Sequence, residues 1–428
     1  MRGVYVLLLI SLLGYTGRVS GQESVTITQC YEWARANYPQ IHQMGLIDQT
    51  ERYSLSNVGK AWLPQLSVSG KASYQSDVTK LPLDGDKISS LLPGFEIPSL
   101  SKDQYQVVAQ VDQTIWDGGS TRSARALTRA EAIANREQLE SELYALNDRV
   151  NQIYFGCLLQ DELIRQNALL QKELQVNIER IEAMMENGVA NQSDLESMEV
   201  ELLNARQNEI ELKASRTVYR QMLATFINKP LTDQVVLKTP ESPERSLSTQ
   251  INRPELRALD AKSEWIETQN KQVTAGAMPR IGGVVQGGYG RPGLNMLEDS
   301  FEPYYVAGVR LSWNLGKLYT LKNDRRKIEV SRRQIDVQRE TFLFNTRLQL
   351  LQQNTEIKKM TDLMRADDDI IRLRTSIKQA AEVKLENGVI SVTDLIREIN
   401  AEDMARQTAA AHRVQRLMTI YNYMYTTN

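Results

Sequence analysis

Residues able to bind soft metals are scarce in this chain of 428 residues: two histidines, His42 and His412, and two cysteines, Cys30 and Cys157. They cannot build a four-cysteine zinc site, and no HExxH sets two histidines on one helix face. The histidines stand alone and far apart, no nucleophile has a base beside it, and no GxxxxGK follows a strand, so the sequence offers no enzyme site, no cofactor site and no metal site. Excess basic charge is missing too. Lys and Arg total 51 against 53 Asp and Glu, which removes the footprint of a nucleic-acid binder. Beyond the N-terminus no apolar run approaches the roughly 18 residues that a membrane helix requires. One disulfide between Cys30 and Cys157 is neither required nor excluded by their spacing. Proline is absent between Pro98 and Pro230 and after Pro303, which leaves both stretches free to form long helices.

What is present begins with an address. Arg2 precedes an apolar run, Val4 to Leu13, broken only by Ser11, and Val19-Ser20-Gly21 supplies small residues before Gln22. This is the pattern of a secretory signal peptide over residues 1–21, too short in its apolar part to span a bilayer. No cysteine stands at the cleavage point to carry a lipid.

The rest is a tandem duplication. Pro39-Gln40-Ile41 is followed 25 residues later by Pro64-Gln65-Leu66, and Pro254-Glu255-Leu256 is followed at the same interval by Pro279-Arg280-Ile281. Trp116-Asp117-Gly118-Gly119 is echoed by Trp313-Asn314-Leu315-Gly316. Glu186-Asn187-Gly188-Val189 with Asp194-Leu195 recurs 200 positions on as Glu386-Asn387-Gly388-Val389 with Asp394-Leu395. Landmarks in one order, twice, divide the chain into a first repeat, 22–228, a link, 229–251, and a second repeat, 252–428.

Each repeat reads helix, strand, strand, long helix, turn, helix. Residues 120–187 hold no proline and one glycine, Gly156; an unbroken helix there would be roughly 100 Å long. Leu139, Leu143, Leu146, Val150, Ile153 and Cys157 step along it as a coiled-coil seam. In the second long helix, 318–387, Leu343, Leu350, Ile357, Met364 and Ile371 recur every seven. Gly188 and Gly388 end these helices as left-handed caps, and return helices follow over 193–228 and 393–425. A shorter helix, Thr28–Gly59, opens the first repeat. Strands are expected over 65–78, 104–116, 280–290 and 304–314. In each, apolar and polar residues alternate, and Tyr74, Tyr105, Tyr289 and Tyr305 near the strand ends suit an aromatic girdle at a membrane surface. A half-exposed sheet in a soluble protein has the same period of two. Four strands cannot close a barrel, and lipid does not tolerate open edges, so a membrane reading requires several chains to pool their strands.

The duplicated plan, the Pro64-Gln65-Leu66 lead-in to the first strand, the Trp116-Asp117-Gly118-Gly119 exit from the second and the two Gly-Val…Asp-Leu tips together resemble the TolC-like outer-membrane efflux protein family over about residues 25–425. The resemblance implies a mainly α fold with a small β part. Tandem long-helix hairpins would form a trimeric α-barrel in the periplasm, and four strands per chain would enter a shared twelve-stranded barrel in the outer membrane of a Gram-negative envelope. It implies a homotrimer held in outer-membrane lipid, joined by a periplasmic adaptor to an inner-membrane pump. Such a channel-tunnel passively conducts cargo in tripartite efflux or type I secretion. The alternative is a secreted coiled-coil scaffold or adhesin without transport.

Residue roles follow from the same resemblance. Asn187-Gly188-Val189 and Asn387-Gly388-Val389 match the tips through which family members meet the adaptor, with Asn in place of the first Val. Asp194 and Asp394 match aspartates at the closed periplasmic end, where a trimer would set each in a ring of three carboxylates. Asn191 and Ser391, three residues earlier, equally make each Asp the N3 member of a capping box. Leu385 and Ile390 replace the tyrosine and arginine that tie the archetype shut. Arg397 stands where a second aspartate ring would be and pairs with Asp394 at i+3. Two charge runs carry plainer readings. Asp367-Asp368-Asp369 reads as a solvated helix face with Asp368 pairing Arg372, and Arg325-Arg326-Lys327 with Arg332-Arg333 reads as a solvated helix start.

Overall fold

The computed structural model describes residues 24–79, 99–242 and 249–428; the signal-peptide segment and part of the link lie outside them. In chain order the elements are β1 (Ser24–Val25), α1 (Ile27–Asn37), a 3-10 turn (Pro39–His42), α2 (Gln43–Lys60), β2 (Gln65–Tyr74), β3 (Asp103–Trp116), α3 (Ser120–Tyr144), α4 (Leu146–Glu186), α5 (Gln192–Ile227), β4 (Val236–Leu237), α6 (Pro254–Gly276), β5 (Arg280–Arg291), β6 (Glu302–Ser312), α7 (Gly316–Glu386) and α8 (Val392–Thr427).

The boundaries differ from the sequence reading in four places, three of them with local causes. The opening helix is two helices, because Pro39 forces its predecessor out of the α region: Tyr38 is extended, at φ −65° and ψ 127°, as residues before proline are. The first long helix is interrupted at Ala145, whose φ −61° and ψ −16° remain helical, so the seam runs through and all six of its members are buried. The last strand starts at Glu302 and stops before Trp313, whose indole N–H instead donates to the Ala277 carbonyl at 3.1 Å. The first strand ends at Tyr74 rather than at residue 78.

Two compact units divide the chain: residues 1–42, 139–256 and 340–428 form one, and residues 43–138 and 257–339 the other. In the first unit α4 is the central helix. Val150, Ile153, Tyr154, Phe155 and Cys157 on α4 bury against Ile27, Cys30 and Ala34 of α1 and Leu223 and Ile227 of α5. The Tyr154 hydroxyl reaches the carbonyls of Val25 and Lys238, flanking a parallel ribbon in which β1 pairs with β4. The link between the repeats is thus tied to the start of the chain. Arg220 tightens it by donating to the carbonyls of Thr232 and Val235 at 2.8 and 2.6 Å. Cys30 and Cys157 are free thiols, pushed up to about 12 chiefly by burial, and so are unreactive at neutral pH.

Gly156 leaves room on α4 for the Tyr219 ring of α5, which an added Cβ would meet at 2.6 Å. Gly156→Leu is therefore expected to push these helices apart and to destabilise the first unit by about 2 kcal/mol or more. Thermal denaturation checks this, and an unchanged melting temperature would contradict it.

In the second unit β2, β3, β5 and β6 form one antiparallel sheet in that order, leaving β2 and β6 as its two edges. Ile266 on α6 packs with Ile328 and Ile335 on α7 in a small helical core.

Candidate functional site

The sheet has two chemically distinct faces, and the pairing register shows which residues share each. Leu66 opposes Val111, Val68 opposes Ala109 and Ala72 opposes Tyr105. Val111 in turn opposes Val285, and Val107 opposes Tyr289; Val285 opposes Ala307, Gly283 opposes Val309 and Ile281 opposes Leu311. Directly opposed residues lie on one face, so this face is apolar across all four strands. The other carries Ser67, Ser69, Lys71, Gln106, Gln110, Asp112, Gln286 and Arg310.

The apolar face is the more exposed one. Along β3 the apolar positions Tyr105, Val107 and Ala109 are exposed while Gln104, Gln106 and Gln110 are half-covered. A soluble half-buried sheet shows the opposite, with its apolar side on the core. Tyr74, Tyr105, Tyr289 and Tyr305 all lie on this outward face at one end of the sheet, with Tyr305 as much as 80% exposed. Trp116 and Trp313 stand at the other end, also exposed. From Tyr105 to Trp116 is about 35 Å along a strand, or about 27 Å across a bilayer at a tilt near 40°, the height of a membrane barrel's apolar band.

The tips belong to the first unit. Leu174, Ile178 and Ile181 of α4, Met198 and Leu202 of α5, Leu385 of α7 and Leu395 and Ile399 of α8 bury together behind them. Both turns are Schellman motifs. Gly188 N–H donates to the Met185 carbonyl and Val189 N–H to that of Met184; Gly388 and Val389 repeat this on Leu385 and Lys384, all at 2.8–2.9 Å. The glycines sit at φ +73° and +66°, in the left-handed region where a Cβ is costly. Asn187 and Asn387 donate their side-chain amides to the carbonyls of Ala183 and Val383, each at 2.7 Å. That bond gives Asn a reason to stand at both tips. Val189 and Val389 are left 57% and 69% exposed.

Beyond each turn a capping box closes. Asp194 N–H donates to Asn191 Oδ1 at 3.0 Å, and its carboxylate accepts from Asn191 N–H at 3.1 Å. Ser391 and Asp394 make the same pair at 3.2 Å in each direction. The Ser391 bonds, then Arg397 at 3.5 Å, hold the Asp394 carboxyl below the ordinary carboxylate range. A depressed acid contributes stability above its unfolded pKa and loses it as pH falls through the folded value. Asp394→Asn is accordingly expected to lower the melting temperature at pH 7, and to lower it progressively less as pH falls below the ordinary Asp value near 4 and through the depressed folded value; a loss that stays constant down the pH scale would contradict this.

Sequence reasoning missed a buried charge network in this unit. Glu402 on α8, 2% exposed, pairs with Lys378 of α7 at 2.7 Å and accepts from Arg406 and Thr375; Lys378 also donates to Glu173 of α4. Desolvation would raise the Glu402 pKa, but its bonds to Lys378, Thr375 and Arg406 outweigh that and hold it low. Isolated polar residues on long helices carry no local signal of such a meeting. The aspartate run also behaves differently from its sequence reading. Asp367 is buried and bonds His412 Nδ1 at 2.7 Å, and it is Asp369, not Asp368, that pairs with Arg372. Successive helical residues diverge by about 100°, which turns Asp367 toward α8 and Asp369 toward solvent.

No group of three or more metal-binding side chains occurs among the described residues, and no described helix is long and apolar enough to cross a membrane. Residues 30–229 match the family described as outer membrane efflux protein. No curated protein matches the chain. Among solved structures the chain is similar to CusC, crystallised to follow folding and transmembrane channel formation, at 14% identity and a TM-score of 0.66 over 94% of this chain and 92% of that one. It is similar to the MtrE outer membrane channel of Neisseria gonorrhoeae, in its open state, at 14% identity and 0.64 over 94% and 88%. VceC, an outer membrane protein of Vibrio cholerae, gives 12% identity and 0.62 over 93% and 95%.

The fold is mainly helical with a small strand contribution, as in these outer-membrane channels, and residues 30–229, just under half of the chain, resemble the outer membrane efflux protein family.

Proposed function

We propose that three copies of this chain form one export duct. Each contributes four strands to a closed twelve-stranded barrel, and the helices complete a tunnel that passively receives cargo from an inner-membrane pump through a periplasmic adaptor. One observation carries this reading: the sheet exposes its apolar face while leaving β2 and β6 as open edges. Hydrocarbon accepts the face but not the edges, and pairing β2 of one copy with β6 of the next removes every edge. Tyr74, Tyr105, Tyr289 and Tyr305 then form the outer aromatic girdle. The tips at Asn187-Gly188-Val189 and Asn387-Gly388-Val389 meet the adaptor. Asp194 and Asp394, beside Arg397, form carboxylate rings at the closed end in addition to capping their helices.

Light scattering of detergent-solubilised protein tests the assembly. A trimer mass is expected, in protein that resists extraction by alkali; a monodisperse monomer, or release by alkali, overturns the duct. Single-channel recording of Asp194→Asn with Asp394→Asn separates ring from cap. Altered ion selectivity supports the rings, whereas unchanged conductance with a lower melting temperature leaves only caps.

A further inference from the structure

Within the second unit a cavity of about 1470 Å³ lies among α3, α6 and α7. Its charge is one-sided. Arg122, Arg125 and Arg129 share one face of α3 at i, i+3 and i+7, and Lys271 of α6 and Arg325 of α7 join them in the lining. None of these five is paired with a carboxylate among the described residues; Arg325 donates only to the Thr274 hydroxyl, at 3.0 Å. The cavity's three acids are already engaged. Glu267 pairs with Arg332 at 2.8 Å and Glu329 with Arg333 at 2.5 Å. The Asp117 carboxylate accepts from the N–H groups of Gly119 and Thr121.

The cavity continues to the end of the sheet, where residues of both faces line it. A smaller space of about 290 Å³ shares Trp116, Asp117 and Thr121 with it and runs along Asp112, Gly282, Arg310 and Ser312, all on the polar face. In that space Arg310 is 3.7 Å from Asp112, while Arg280 has no carboxylate partner among the described residues. In a barrel whose apolar face meets lipid, the polar face, with Arg280 and Arg310, would line the conduit.

We infer that this cavity is an anion-selecting chamber of the duct, favouring cargo that bears carboxylate or phosphate groups. The inference rests on the channel reading above. Uncompensated guanidinium groups in a space walled by protein concentrate counter-ions. Arginine presents paired N–H donors that match carboxylate and phosphate oxygens, and rings of Arg and Lys line anion- and phosphate-conducting pores. Three copies around one axis would repeat the five cations in successive tiers.

Planar-bilayer recording of the purified trimer under a potassium chloride gradient tests this. With the tip carboxylates neutralised by Asp194→Asn and Asp394→Asn, so that no acidic ring opposes the effect, the reversal potential is expected to report chloride over potassium permeability of about threefold or more, and millimolar tripolyphosphate is expected to block the current where spermine does not. Arg122→Gln with Arg125→Gln and Arg129→Gln should bring the ratio to about one and relieve the block, while the corresponding triple lysine variant keeps both. Cation preference with the tip carboxylates neutralised, or a triple glutamine variant in that background with unchanged selectivity and block, overturns the chamber and leaves the channel standing. A trimer that never conducts overturns the channel reading instead. Should the glutamine variant fail to assemble, the selectivity and block of the arginine-bearing channel with neutralised tips decide.

Discussion

Replacing Val189 and Val389 by aspartate is expected to abolish export while leaving trimers in the outer membrane. The argument separates what the turn requires from what it does not. Gly188 and Gly388 are needed by the backbone, being left-handed and donating within Schellman motifs, and Asn187 and Asn387 each satisfy a helix carbonyl. The valines serve the turn only through their backbone N–H groups, which aspartate also has. Their side chains, 57% and 69% exposed, are not part of any core among the described residues, so the substitutions should change stability by no more than about 0.5 kcal/mol. An apolar residue in the same exposed place in both repeats is well suited to a partner that covers it. A charge there would be desolvated without a counter-charge on docking, a penalty of several kcal/mol, which amounts to loss of the complex at cellular concentrations. Export of a pump-dependent cargo, measured beside trimer abundance in isolated outer membranes, gives the answer. Normal export from the double variant would remove the docking role, and lost trimers would return the valines to the fold.

Much of the architecture was legible because its determinants are local or periodic. Missing proline and glycine make the long helices, the seven-residue recurrence sets their seams, and Asn191…Asp194 and Ser391…Asp394 announce helix starts that close as capping boxes. The break at Pro39 was missed in a span read as one helix, Thr28–Gly59, although a proline inside a helical span ends it at the residue before. Other features depend on which faces meet across the fold. Lys378, Glu402 and Glu173 lie on three helices, and Asp367 with His412 on two, so neither their meeting nor their burial leaves a mark on neighbouring sequence. The sheet sits between these cases. Alternation in Leu66–Tyr74 or Tyr105–Val111 assigns residues to faces but not which face is covered, and that choice separates a membrane strand from a soluble one. It took the exposure of Val68, Val107, Tyr305 and Val309 to decide it.

The largest effect on assembly is expected from Phe344→Glu with Leu351→Glu. These residues stand seven apart on α7, with Leu348 between them, and all three are exposed in the single chain. They continue a stripe that resumes at Ile370, Leu373 and Ile377, while α5 exposes Leu203 and Ile210, also seven apart. Heptad-spaced apolar residues form a seam when another helix covers them, and within one chain none does. In a trimer the seam is covered by a neighbour, and burial of two such side chains contributes about 4 kcal/mol at each interface, a factor of roughly a thousand in association. Glutamate would forfeit that and place charge in the seam. It is a good helix former, and the sites are solvent-facing before assembly, so the monomer's helix content should be unchanged. Circular dichroism and light scattering in detergent read the two effects separately. Retained helix with a monomer mass is the expected result; intact trimers would show that this stripe faces lipid, solvent or the conduit, and that the chains meet elsewhere.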